Sequence, residues 1–327
     1  MIGMNKKVER DFVTEAEIDL LELEWWNSNA EIISKVWEMD HDVSWAIRKK
    51  YLSRAKRFLK DKGQTTSVLE LGCGSGWVGQ SIADAALTVL GTDASEAQIA
   101  LARENAKKKG LERICHYFTS DSLDWSAPPG RVNAVLIHSF LHHLNKKEID
   151  RLFDQSRRSF SSGTRFWIYE PAFYAASQQV DTNDSNSRWP ALSRLAPRVI
   201  AVLSACYQRY GLIDEATSQE FKALMQQANE KGWYLSPKEV PFDVDAFTDY
   251  LERYFQVRAK YWATINAVGM IFETNLIKNR LLRKIITGSV APLISYSDSA
   301  LASNVHFLRR SLTAPNYGLH VWECILK

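Results

Sequence analysis

The chain has 327 residues, 46% of them apolar, and its 41 basic and 38 acidic side chains leave a formal charge of +3. That size supports one large folded unit, or a core unit with sizeable insertions, and a near-balanced charge without long blocks of one sign excludes the basic stripe of a nucleic-acid binder. No stretch reaches the run of about 18 apolar residues that a membrane span needs, and the opening lacks the apolar centre of a secretory leader, so the expectation is a cytoplasmic protein without stable membrane insertion whose partner is a small molecule.

Residues 10–60 read as helical, with apolar side chains recurring at three- and four-residue steps through EIDLLELEWW, AEIISKVW and WAIRKKYLSRAKRFL. From Val68 the period changes. VLEL predicts a short buried strand, three glycines at alternate positions follow, and GWVGQSIADAA predicts a helix. LTVLGTD is a second strand and SEAQIALARENAKKKG a second amphipathic helix, with Gly110 as its stop. RICHYFTSD, VNAVLIHSF and TRFWIYEP predict strands three to five, with a helix over NKKEIDRLFDQSRRSF between the last two. Strands alternating with helices in this way predict an α/β fold, a mostly parallel sheet covered on both faces.

Beyond Pro171 the alternation stops, and residues 172–240 read as a helical insertion. DVDAFTDYLERYF then feeds a sixth strand, QVRAKYWAT, a second helical insertion follows over 266–315, and YGLHVWECILK closes as a last strand. The expected organisation is a helical lid over 1–60, a nucleotide-binding core over 61–171, a cap over 172–240, core again over 241–265, a second cap over 266–315 and a final core strand over 316–327. Cys73, Cys115, Cys206 and Cys324 are scattered, with no CxxC pair and no histidine at zinc-ligand spacing, so neither a disulfide framework nor a metal site is expected.

The chemistry concentrates in residues 67–95, SVLELGCGSGWVGQSIADAALTVLGTDAS. A glycine turn between strand and helix lets the backbone approach a ligand, and the helix start offers unpaired N–H groups to polar atoms. The dinucleotide pattern G-x-G-x-x-G, begun at Gly72, puts Trp77 at its third glycine. Only a frame shifted to Gly74, Gly76 and Gly79 satisfies it, two residues too late for a tight turn.

Taken instead as E-x-G-x-G-x-G, Glu70, Gly72, Gly74 and Gly76 resemble the first signature of class I adenosylmethionine-dependent methyltransferases. The resemblance continues in order through Asp93 in LGTDAS, Asp121 and Ser122 in TSDSLDW, the run HSFLHHL and YEP. It implies a Rossmann-like sheet with an antiparallel last strand, adenosylmethionine as cofactor and adenosylhomocysteine as product. It also implies that Glu70, Gly72, Cys73 and Gly74 hold the methionine end, Asp93 with Ala94 the ribose, and Asp121 with Ser122 the adenine.

Methyl transfer is an in-line displacement, and a hydroxyl or protonated amine acceptor needs a base as well. The candidates are His138, placed by the resemblance where it also meets the cofactor, and His142. Ser139, His143, Tyr169 and Trp26 are the expected substrate-side residues, although tryptophans at helical spacing also serve as plain core. The resemblance implies a small-molecule methyltransferase of biosynthesis, acting on oxygen first and nitrogen second. A lipid-directed enzyme, a nicotinamide-dependent oxidoreductase and a non-catalytic adenosylmethionine-binding protein are the competing readings.

Overall fold

The computed structural model describes residues 14–37, 52–60, 65–84, 87–121, 132–174, 214–231, 236–239, 242–264 and 316–327. The helical readings over 45–51 and 190–211, the whole second insertion and Ser122 lie outside those residues.

The N-terminal patterns EIDLLELEWW and AEIISKVW join into one helix, α1 (Glu15–Trp37). Thr14 and Glu17 start it, each side chain accepting from the other's backbone N–H, which satisfies donors that a helix start leaves over. A second helix, α2, covers 52–59 and buries Leu52, Ala55 and Leu59. Strand β1 (Thr66–Leu71) leads through the glycines into α3 (Trp77–Ile82), which is only six residues long and so shorter than its apolar pattern predicts. Asp84 bridges back to Leu87 directly after it, so the chain turns into the next strand and leaves no room for further helix.

The next elements are β2 (Leu87–Asp93), α4 (Glu96–Lys108), β3 (Cys115–Thr119), β4 (Val132–His138) and α5 (Lys146–Ser159). Ser95 caps α4, and a reciprocal Asn145–Glu148 capping box starts α5. Strand β5 (Arg165–Tyr174) runs past Pro171, where the sequence pattern predicts an end. Two partners extend it: the long closing strand pairs with it as far as Tyr174, and a short strand, β6 (Phe242–Asp243), pairs at Ala172 and Phe173. Helix α6 (Glu215–Glu230), helix α7 (Val244–Leu251), β7 (Phe255–Thr264) and β8 (Asn316–Leu326) complete the described elements.

The sheet order is β3-β2-β1-β4-β5-β8-β7, with β1 to β5 parallel and β8 antiparallel to both neighbours. Alternate residues of each strand feed two cores. Val135, Ile137, Phe166 and Ile168 pack with Leu152 and Phe153 of α5 and with Phe247 of α7. Ala134, Leu136, Trp167 and Tyr169 pack on the other face with α2 and α3. Because the chain steps from β1 outward to β3 and then returns to β4 on the other side, a crevice opens at the carboxyl ends of β1 and β4.

Candidate functional site

The strand order lines up four expected site residues along one edge of the sheet: Asp93 on β2, Gly72 after β1, His138 on β4 and Tyr169 on β5. At the donor end, Gly72 has φ +63°, and a Cβ there would collide with the Phe140 ring. Cys73 N donates to Thr92 O at 2.9 Å, stitching the turn to β2. Gly74 N then donates to Asp93 Oδ2 at 2.9 Å and Ser95 N to Oδ1 at 2.9 Å, so one carboxylate holds both the turn and the start of α4. Burial raises the Asp93 carboxyl above its ordinary pKa against the pull of those two donors. Each carboxylate oxygen has a further lone pair for a diol.

Glu70 lies beneath this turn, with 1% exposure, and Oε1 accepts from Gly79 N at 3.2 Å. Gly79 has no Cβ because the Glu70 carboxylate fills that space. Tyr117, which the sequence pattern does not single out, supports the turn from β3: its hydroxyl donates to Gly76 O at 3.2 Å and its ring fills the space a Cβ would need at Gly76 and Gly91. Ala94 is exposed beside Asp93, and Asp121 is exposed just after β3.

At the other end, the His138 ring stacks on Tyr169 with centroids 4.0 Å apart and takes the edge of Trp77 at 5.4 Å. Ser139 has φ +53° and donates its N–H to Tyr169 O at 2.7 Å. Glu170 organises the turn that follows. Its Oε1 accepts from Phe140 N at 2.9 Å and Leu141 N at 2.8 Å, while Oε2 lies 2.6 Å from His142 Nδ1. His142 Nε2 faces Glu239 Oε1 at 3.4 Å. Burial opposes charge on His142, but the two carboxylates overcome it and raise its pKa to about 9. Both ring nitrogens of His142 thus face carboxylates, an arrangement that favours the charged imidazole.

His143 is drawn into a separate contact with α1. Its Nδ1 lies 2.9 Å from Glu22 Oε1 on α1, which also accepts from Trp26 Nε1 and Ser236 Oγ at 2.8 Å each, while Oε2 accepts from Lys238 N at 2.9 Å. Burial alone would raise the Glu22 pKa, yet His143 and these donors bring it down to about 2. Trp26 stands edge-on to His143 at 5.3 Å. Next to Trp26 on α1, Asn27 Oδ1 accepts from Ser95 Oγ at 2.7 Å and Ala97 N at 3.3 Å. Helix α1 therefore spans the crevice from the start of α4 to the turn after β4. Glu22, Asn27, Tyr117, Glu170, Ser236 and Glu239 all lie outside the set that sequence reasoning selects. Of these only Glu170 carries a local sign, the YEP run itself.

A methyltransferase-domain family matches residues 68–163. No curated protein matches the chain by sequence. Among solved structures, the [4+2]-cyclase SpnF superposes with a TM-score of 0.52 at 14% identity, covering 93% of this chain and 94% of its own. A geranyl diphosphate C-methyltransferase from Streptomyces coelicolor A3(2), solved with Mg2+, geranyl diphosphate and S-adenosyl-L-homocysteine, gives a TM-score of 0.49 at 11% identity, covering 96% of this chain and 100% of its own. The match supports a methyltransferase domain over residues 68–163, for which the sequence resemblance implies adenosylmethionine as cofactor. The residues present suit that cofactor: a turn closed by glycines that no Cβ could replace, joined directly to a carboxylate able to accept from a diol.

Proposed function

We propose that the chain methylates a small molecule, on oxygen, in a biosynthetic reaction of the cytoplasm. When bound, adenosylmethionine supplies an electrophilic methyl group on a sulfonium. In this reading the Gly72–Gly74 turn holds the methionine end with Glu70 and Cys73 beneath it, Asp93 accepts from the ribose hydroxyls beside Ala94, and Asp121 and Ser122 receive the adenine. Helix α1 excludes water, which strengthens every electrostatic contact inside. The segments 172–240 and 266–315 cap the acceptor, with Trp26, Ser139, His143 and Tyr169 on its side of the crevice.

His138 takes the acceptor proton. The observation that carries this role is its place: half-buried at the end of β4, clamped between Tyr169 and Trp77, two strands from Asp93 across β1. Stacking fixes the ring's plane, and a base held in one orientation loses little entropy on reaching its proton. No helix among the described residues is long and apolar enough to cross a membrane.

Calorimetric titration with adenosylmethionine, adenosylhomocysteine and NADH tests the donor half. Binding of the first two alone is expected, and binding of NADH alone would overturn the assignment. A panel of phenols, alcohols, carboxylic acids and amines tests the acceptor half. His138→Ala is expected to lose turnover of hydroxyl acceptors by about 100-fold or more, the scale of a lost general base, with cofactor affinity kept. Full activity of that variant removes His138 as the base.

A further inference from the structure

The turn after β4 buries more negative charge than it neutralises. Glu170, His142 and Glu239 meet there with 0%, 4% and 6% exposure, and one imidazolium stands between two carboxylates. The nearer carboxylate is saturated, Oε2 by His142 and Oε1 by two backbone N–H groups. Glu239 is different. Among the described residues its Oε1 has only the 3.4 Å contact to Nε2, and its buried Oε2 has no hydrogen-bond partner. Folded chains almost always give a buried carboxylate oxygen a donor, because losing its hydration otherwise goes uncompensated.

The neighbouring cations do not supply that donor. Lys238 Nζ is bonded to Asp19 and Glu148, and His143 is committed to Glu22. A metal ion is a poor occupant, since no group of metal-ligating side chains is assembled among the described residues. Position decides the remaining choice. Glu239 lies just ahead of β6, which pairs with the extension of β5 beyond Glu170, so its carboxylate stands at the carboxyl ends of β4 and β5, beside the turn that His138 and Ser139 begin.

We propose that Glu239 receives a protonated amine of the methyl acceptor, so that the substrate is a hydroxylated amine bound through its ammonium group at this end of the crevice. This rests on the reading of the chain as a small-molecule methyltransferase. An ammonium group brings three donors and one positive charge, and a charge-assisted bond to a carboxylate is the strongest partner available to the orphaned oxygen. A neutral acceptor leaves that oxygen unpaired, and a carboxylate acceptor is repelled by it.

Matched hydroxylated frameworks carrying a terminal amine, a methyl or a carboxylate test this: tyramine, 4-propylphenol and 3-(4-hydroxyphenyl)propanoate, with an aliphatic and an indole set built the same way. Binding is read by ligand-observed NMR on protein saturated with adenosylhomocysteine. At least one amine is expected to bind tenfold or more tighter than its neutral isostere. Glu239→Gln should shrink that ratio to within twofold while adenosylhomocysteine affinity holds. Glu239→Asp, which keeps the charge, retains a reduced preference and serves if the amide variant does not fold. Equal binding within every set, preference for the carboxylates, binding of no set, or an unchanged amine preference in Glu239→Gln overturns the proposal. A carboxylate that only holds His142, or one satisfied by water, gives the unchanged ratio. Failure of the methyltransferase reading is seen separately, as absent adenosylhomocysteine binding in the same samples.

Discussion

At the end of the crevice proposed for the methyl donor the residues that meet are near neighbours in sequence, whereas at the end proposed for the acceptor they come from across the chain. Nineteen positions separate Gly74 from Asp93, and nine separate Glu70 from Gly79. By contrast 214 separate Glu22 from Ser236, and 93 separate Ser236 from His143. A single strand–turn–helix–strand unit closes the donor end, so its shape follows from local backbone geometry. The acceptor end exists only once α1 and the 236–239 segment have docked, and its ion pairs are part of what holds them there. Substitutions at the donor end should therefore change ligand affinity, and substitutions at the acceptor end should change stability.

His142→Ala is the harshest test of that division. It leaves Glu170 and Glu239 buried without their shared cation, a change that typically removes about 3–5 kcal/mol. Urea denaturation should show that loss, and a loss under about 1 kcal/mol would mean the acceptor end does not depend on its charges. The same pair sets a pH dependence. His142 has a folded pKa of about 9, above its ordinary value near 6.5, so its contribution is fully present below about pH 6.5 and disappears as pH rises through 9. Midpoints measured from pH 6 to pH 10 should fall across that window in the native chain, and His142→Gln should flatten the fall.

At the donor end, Asp93→Ala should weaken adenosylmethionine binding by about 1.5–3 kcal/mol, the scale of hydrogen bonds to a charged group, with a melting temperature close to that of the native chain. Unchanged affinity in calorimetry would sever Asp93 from the ribose. The smallest expected effect comes from Asn27→Ala, which detaches α1 from the start of α4. Losing that contact should lower stability by about 1 kcal/mol. Cofactor dissociation, followed by stopped-flow tryptophan fluorescence, should speed up as the lid opens. If dissociation is unchanged, α1 belongs to the acceptor end alone.

The order and type of the core elements were legible because each depends on its own few residues. LTVLGTD becomes β2 over the same seven residues, and the pattern NKKEIDRLFDQSRRSF contains α5 from Lys146 to Ser159. The errors arose where a partner decided the outcome. Strand β5 outruns Pro171 because β8 and β6 remain beside it, and α3 stops early because the chain pairs back on itself after Asp84.

The same line divides the site. Glycine spacing, the acid at the end of β2 and the histidines after β4 mark the crevice by themselves, since backbone approach and carboxylate chemistry are properties of the residues concerned, while the class of cofactor is what their resemblance, in order, to the methyltransferase signatures implies. The role of each histidine is not. His138 and His142 look alike on paper, yet one is stacked between aromatic rings and the other is locked between carboxylates that arrive from 28 residues away on β5 and from the segment ahead of β6. The protonation state of a buried imidazole is set by the charges brought against it, and only the folded chain brings them.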